Sequence, residues 1–233
     1  RSFGRTLALG ILAAFLGVAG TAGPAAALTM PVTLDFETDG NGLPLVAGTP
    51  IVGNEWANLG ISISSSNGDL GLFNSNCVPG VSCTGGDNDL ATGGAFGPAQ
   101  GNVLIRQDPN IAEPGDYAAS GAITFEFSHH ARLITIALLD NDNSPGITLN
   151  IFKKGVLQPG ILIPSVDVEN SLLTYTFAGD ATWVTALEVV FPSSGAIASL
   201  SVTPAPIPAA LPLLLSALAW LGWVTRRRRR AAA

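Results

Sequence analysis

Between residues 28 and 203 this chain alternates apolar and polar residues in short runs, and no stretch of useful length carries a helical period. Val32, Leu34 and Phe36 point one way while Thr33, Asp35 and Glu37 point the other. Ile123, Phe125 and Phe127 alternate with Thr124, Glu126 and Ser128, and Ile147, Leu149 and Ile151 with Thr148, Asn150 and Phe152. Leu187, Val189 and Phe191 alternate with Glu188 and Val190. A period of two marks strands with one buried face. Residues 59–64, 102–106, 133–139, 173–177 and 197–202 are further candidates. Asp39-Gly40-Asn41-Gly42, Asn67-Gly68-Asp69 and Lys153-Lys154-Gly155 punctuate them as turns. His129-His130 falls between two candidate strands and is expected as a solvated pair in the turn joining them. About nine short antiparallel strands predict an all-β chain, a two-sheet β-sandwich of jelly-roll type.

The two ends read differently. Arg1 and Arg5 precede an apolar stretch at residues 7–18, then small residues ending in Ala25-Ala26-Ala27. That order is a secretory signal peptide, so residues 1–27 are expected to engage the secretion translocon and to be removed by signal peptidase after Ala27. The chain opens on Arg1 without a methionine and is expected to lack its true start. At the other end Pro204, Ala205, Pro206, Ile207, Pro208 and Ala209 lead into an apolar run ending at Val224, followed by Arg226, Arg227, Arg228, Arg229 and Arg230. Residues 207–224 would span ~27 Å as a helix at ~1.5 Å per residue, close to the ~30 Å hydrocarbon core. The arginine block, residues 226–230, would stay cytoplasmic as a basic stop.

Removing both ends changes the charge. Residues 28–203 keep all 17 acidic residues but only Arg106, Arg132, Lys153 and Lys154 as bases, a net charge of −13 that the whole-chain value of −6 conceals. Such a domain should repel nucleic acid and anionic lipid. It is compatible with divalent cations.

Residues 67–100 form the longest interruption and are expected to be a surface loop. Both cysteines, Cys77 and Cys83, lie in it, and in an exported chain they are expected to form a disulfide that stiffens it. Three carboxylate groups are candidates for a Ca²⁺ site. The first is Asp35-Phe36-Glu37-Thr38-Asp39-Gly40, where alternation places Asp35 and Glu37 on one face. The second, in the loop, contributes Asp87 and Asp89. The third, after strand 133–139, contributes Asp140 and Asp142. Ca²⁺ takes six to eight hard oxygen ligands, so two of these groups would have to meet. The competing reading is turn chemistry, with each side chain bonded locally.

The tail, residues 204–233, resembles the bacterial PEP-CTERM sorting signal in its Val-Pro-Leu-Pro-Ala (VPLPA-CTERM) variant. Ala205-Pro206-Ile207-Pro208-Ala209 stands at the motif, departing at Ala205 and Ile207. The resemblance implies transient anchoring in the inner membrane and processing by an exosortase-type membrane protease. The cell surface or extracellular matrix is the implied destination. The core is similar to jelly-roll ectodomains attached to such tails, through Leu34-Asp35-Phe36-Glu37, Gly85-Gly86-Asp87-Asn88-Asp89-Leu90 and Leu138-Leu139-Asp140-Asn141-Asp142. It departs from that group at Ala198-Ser199, where an Asp-Asn is usual.

Enzyme signatures are absent from the sequence: Gly80-Val81-Ser82-Cys83-Thr84 misses the nucleophile elbow at its last position. The expectation is an exported, non-catalytic surface or matrix protein whose sandwich binds extracellular polysaccharide or a surface partner, with Ca²⁺ as a structural ion. A carbohydrate-active hydrolase and an inert structural matrix protein are the alternatives. Exposed aromatics would favour sugar stacking, and Trp56 and Trp183 are the tryptophans of the core segment, either of which could be buried.

Overall fold

A computed structural model describes residues 30–204, apart from 79–82, 84–87, 94–96, 110–113, 169 and 180. The signal peptide, the motif from Ala205 onward, the span at 207–224 and the arginine block lie outside the described residues, as does Asp87. Among the described residues no helix is long and apolar enough to cross a membrane. The strands are β1 (Val32–Leu34), β2 (Pro50–Ile51), β3 (Ile61–Ser66), β4 (Asp69–Asn74), β5 (Asn102–Gln107) and β6 (Gly121–Leu139). Then follow β7 (Gly146–Lys153), β8 (Val156–Leu157), β9 (Ile161–Pro164), β10 (Leu172–Thr176), β11 (Val184–Phe191) and β12 (Ala196–Pro204). Their ladders are antiparallel and join in one sheet.

β6 gives that sheet its curl. Its first half, Ala122 to Phe127, runs between β3 and β11. Its second half pairs with β10 and β12 instead, Leu139 opposite Leu172 and Ala196. One strand therefore belongs to two leaves. The turn expected at His129-His130 does not exist: β6 is continuous through both residues. No glycine or proline interrupts residues 122–139, and β-branched and aromatic residues favour extension on either side of residues 128–133. The change of partners is absorbed by bulges in β6 itself: residues 127–130 oppose only Thr185 of β11, and Ile134 is the extra residue opposite Ser201 and Val202 of β12. Bulges bend a strand and raise its twist, which lets a sheet fold over.

The inner core fills the space between the leaves with Phe125, Leu187, Val189 and Phe191 from one and Leu72, Leu104, Leu138 and Leu200 from the other. A second cluster lies on the opposite face of the β4–β5–β12–β6 leaf. There Phe73, Val103, Ile105, Leu139 and Ala196 pack against Cys77, Leu90 and Ala91 of the 75–101 connection, with Cys83 at its margin. That leaf is buried on both faces, so β5 reads Val103-Leu104-Ile105 without alternation.

The long interruption is consequently shorter than expected and is not wholly a surface loop. β4 occupies its start, where Leu70, Leu72 and Phe73 are buried and Gly71 hides the period. Cys77 and Cys83 are disulfide-bonded, six residues apart. The bridge braces a cover over the outer cluster. A Cys77→Ser/Cys83→Ser chain should lose about 2 kcal/mol in denaturant unfolding, the loop-closure value for so short a ring. Its strand signal in circular dichroism should be retained, because the inner core does not touch the staple.

Candidate functional site

The expected carboxylate groups turn out to be organised by their own turns. β1 ends at Leu34, and Phe36 takes a left-handed φ of 62° with its ring packed edge-on against Trp56, 5.6 Å between centroids. Asp35 and Glu37 therefore do not share a strand face, contrary to the alternation. Asp35 Oδ1 accepts from Glu37 N at 3.1 Å, and Glu37 Oε1 accepts from Asn102 N at 2.7 Å. Asp39 Oδ1 closes the next turn, accepting from Leu43 N and Asn41 N, each at 2.8 Å. These bonds, Leu43's first, hold the Asp39 carboxyl below its ordinary 3.8. A depressed carboxyl contributes stability that is present above pH 3.8 and is lost as pH falls through its lower folded value.

Asp140, Asn141, Asp142 and Asn143 form a clasp at the end of β6. Asn141, 2% exposed, donates from Nδ2 to the carbonyls of Ile163 (3.2 Å) and Pro164 (3.0 Å), and its Oδ1 accepts from Ile147 N at 3.0 Å. Asp140 Oδ2 accepts from Ser194 Oγ at 3.4 Å, and Asn143 Nδ2 donates to Asp142 Oδ1 and to Ser194 Oγ. Asn170 Nδ2 donates to the carbonyls of Asn88 and Ala91, on either side of Asp89, while the Asp140 amide donates to Ser171 O at 2.9 Å. The segment Asn170-Ser171 thus links the second and third groups. Among the described residues, no three acidic, histidine or cysteine side chains gather as a metal centre.

Arg106 is enclosed. It is 1% exposed, donating to the carbonyls of Tyr117 (3.0 Å), Ser193 (2.5 Å) and Asn67 (3.3 Å), with its guanidinium carbon 5.4 Å from the Phe191 ring centre. Burial pushes the guanidinium down, and Asp116 and Tyr117 oppose that shift. Asp116 also accepts from Gly195 N, so the cation ties β5 to the β11–β12 turn.

That leaves a different face. Val184 of β11 lies opposite Ala131 of β6 on one side and Lys153 of β7 on the other. Ala131 and Val184 point into the core, so His130 and Arg132 on β6 point outward by alternation, and Trp183, just before β11, is exposed beside them. Trp183 is 59% exposed, with a left-handed φ of 61° that costs about 1–3 kcal/mol for a bulky residue. Its ring meets the His130 ring edge-on at 5.4 Å, and Lys154 Nζ stands 6.0 Å from its centre. Trp56, by contrast, is 1% exposed and donates from Nε1 to Thr38 O at 3.0 Å. One tryptophan is core and the other is surface. Sequence reasoning left them equal and missed His130 and Lys154 as neighbours. The available signal was that Arg132 and Lys154, two of the three bases other than Arg106, flank Trp183 once strands are paired.

A separate groove of about 140 Å³, lined by Thr49, Pro50, Asp69, Leu72, Gln107 and Pro114 among others, is remote in sequence from that face. It is smaller than the ~300 Å³ at which small-molecule pockets begin.

No family model matches this chain, and no curated protein matches it. Among solved structures it is similar to allantoicase from Saccharomyces cerevisiae, at 11% identity and a TM-score of 0.35, over 73% of this chain and 43% of that one. It is also similar to wild-type discoidin II from Dictyostelium discoideum, at 12% identity and a TM-score of 0.34, over 64% of this chain and 57% of that one. A further allantoicase structure aligns at 14% identity and a TM-score of 0.34, over 65% and 43%. The chain spans about half the length of these structures.

Arg106→Met should lower unfolding free energy by about 3 kcal/mol, because three buried carbonyls and Asp116 lose their cation. Unfolding in urea measures it, and the same substitution should leave the environment of the exposed Trp183 unchanged.

Proposed function

We propose that this chain is an exported, non-catalytic surface or matrix protein whose curled sheet, read as a jelly-roll-like sandwich, binds polysaccharide on Trp183. The observation that carries the reading is the exposed indole, fixed in a strained backbone conformation between a histidine and a lysine. Backbone strain of this kind persists where surrounding structure over-determines it, and it clusters at ligand clamps. An indole face supplies a large apolar area at little conformational cost, suited to the C–H face of a pyranose. The disulfide accords with an oxidising, extracytoplasmic setting. Export through the translocon and signal peptidase rests on the charged, apolar and small-residue order of residues 1–27, and processing by an exosortase-type protease on the resemblance of residues 204–233.

Calcium is a subsidiary part of the proposal, assigned to the second and third carboxylate groups at the Asn170-Ser171 link. Melting in Ca²⁺ against chelator tests it. A rise in Tm that Asp89→Asn removes would support the ion, and no rise would leave those residues as turn chemistry.

The main test is binding of the full chain to a polysaccharide panel, with turnover followed in parallel. Trp183→Ala should weaken binding by about 2 kcal/mol, the level of a hot-spot aromatic, with Tm unchanged because the ring is in solvent. Binding unaffected by that substitution would remove Trp183 from the reading. Turnover of any polymer would replace it with a hydrolase.

A further inference from the structure

We infer that the Trp183 face selects acidic polysaccharides, chains bearing carboxylate or sulfate groups; this rests on the polysaccharide reading above. Residues 28–203 contain four lysines and arginines against 17 acidic residues. Arg106 is enclosed in the protein. Of the other three, Arg132 and Lys154 flank one tryptophan. Arg132 is exposed on β6 and Lys154 stands exposed at the turn after β7 with Nζ 6.0 Å from the Trp183 ring, whereas Lys153, at the end of β7, shares the sheet face of Ile151 and Val184. Lys153, Val184 and Ala131 are register partners across β7, β11 and β6. Adjacent strands lie about 4.8 Å apart, so the row from β7 to β6 spans only ~10 Å. His129 and His130 adjoin Arg132 on the same strand.

A neutral sugar would need the indole but not the cations. A solubility role would scatter the bases over the surface. Their convergence on one aromatic instead makes a local positive site on a strongly acidic domain, which an anionic chain meets in a single orientation. No acidic residue occurs in the segments that make this face, residues 129–132, 153–155 and 182–185. Glu126 of β6 is the register partner of Ala186, two residues along β11 from Val184, so it stands at the margin of that row, about 7 Å away at ~3.3 Å per residue. Glu188 of β11 lies five residues from Trp183, and its carboxylate accepts from Asn150 Nδ2 at 2.7 Å. Asp180 is outside the described residues. At physiological salt the screening length is about 8 Å. Carboxylates beyond that distance act weakly at the face, whereas cations beside the bound sugar act directly.

Purified full-length chain is titrated with three polymers of similar length, one neutral, one a polyuronate and one sulfated, at about 50 and 500 mM salt. Wild type should bind both acidic polymers more tightly than the neutral one, and only the acidic binding should fall with salt. Arg132→Gln/Lys154→Gln should weaken acidic binding about tenfold more than it weakens neutral binding, the loss expected for charge-assisted contacts. Equal affinity for all three polymers, insensitive to salt and to the charge substitutions, would overturn the inference while the polysaccharide reading stands. No binding to any polymer would remove both. Vesicles of anionic lipid form a fourth arm, because Val156, Leu157 and Leu162 are exposed beside Lys154 along the β8–β9 edge. Binding to vesicles but to no polymer would reassign the face to a lipid surface and overturn the inference.

Discussion

The continuity of β6 is the constraint on which the rest of this structure depends. A strand that pairs with β3 and β11 along one half and with β10 and β12 along the other forces the sheet to fold over itself. The fold-over creates the inner core, with Phe125 and Leu138 of the same strand contributing from opposite leaves. It also sets a second problem. Residues facing away from that core on the β4–β5–β12 side, Phe73, Val103, Ile105 and Ala196, are themselves apolar and need a cover. Each large aliphatic or aromatic side chain so covered is worth about 1.5–3 kcal/mol against exposure. The disulfide-braced connection supplies the cover with Cys77, Leu90 and Ala91. The staple is thus a consequence of the fold-over, one layer removed.

Polar side chains then hold the corners. Asn141 fixes the β6–β7 corner against the carbonyls of Ile163 and Pro164, and Arg106 gathers Asn67, Tyr117 and Ser193 at the β11–β12 turn, where Asp140 and Asn143 meet the adjacent Ser194. These groups are buried, and buried polar groups must find partners or cost the full desolvation penalty. Acidic and amide residues at turns therefore have a structural use here that needs no ligand. The Asp-Asn-Asp-Asn run shows it directly, since each described contact of Asn141 joins two segments of chain.

Legibility in the sequence followed burial. β7 and β11, with one face inward, showed their period in Ile147, Leu149 and Ile151 and in Leu187, Val189 and Phe191. β4 did not, because Leu72 faces the inner core while Phe73 faces the outer cluster and Gly71 contributes no side chain. β6 read as two strands because polar Ser128, His129 and His130 interrupt its apolar pattern where it passes the corner, although the backbone there stays extended. Asp35 and Glu37 alternated correctly on paper, but Phe36 leaves the β region, which a two-residue period cannot reveal. The Trp183 face was illegible for another reason. His130, Trp183 and Lys154 are far apart in the chain and meet only through the register of three strands.

The corner that makes the fold also makes the face. Between Val184 and Ala186, β11 shifts register to follow β6 as it changes leaves. Trp183, immediately before that shift, takes the left-handed backbone that turns its ring out of the sheet. An ordinary solvent-facing position would be filled more cheaply by a glycine or asparagine, which tolerate positive φ. A tryptophan there carries both backbone strain and an exposed apolar ring. Neither term favours folding, and the edge-on contact with His130 recovers only part of them. The surplus is consistent with a residue whose favourable energy is realised in contact with something outside the chain.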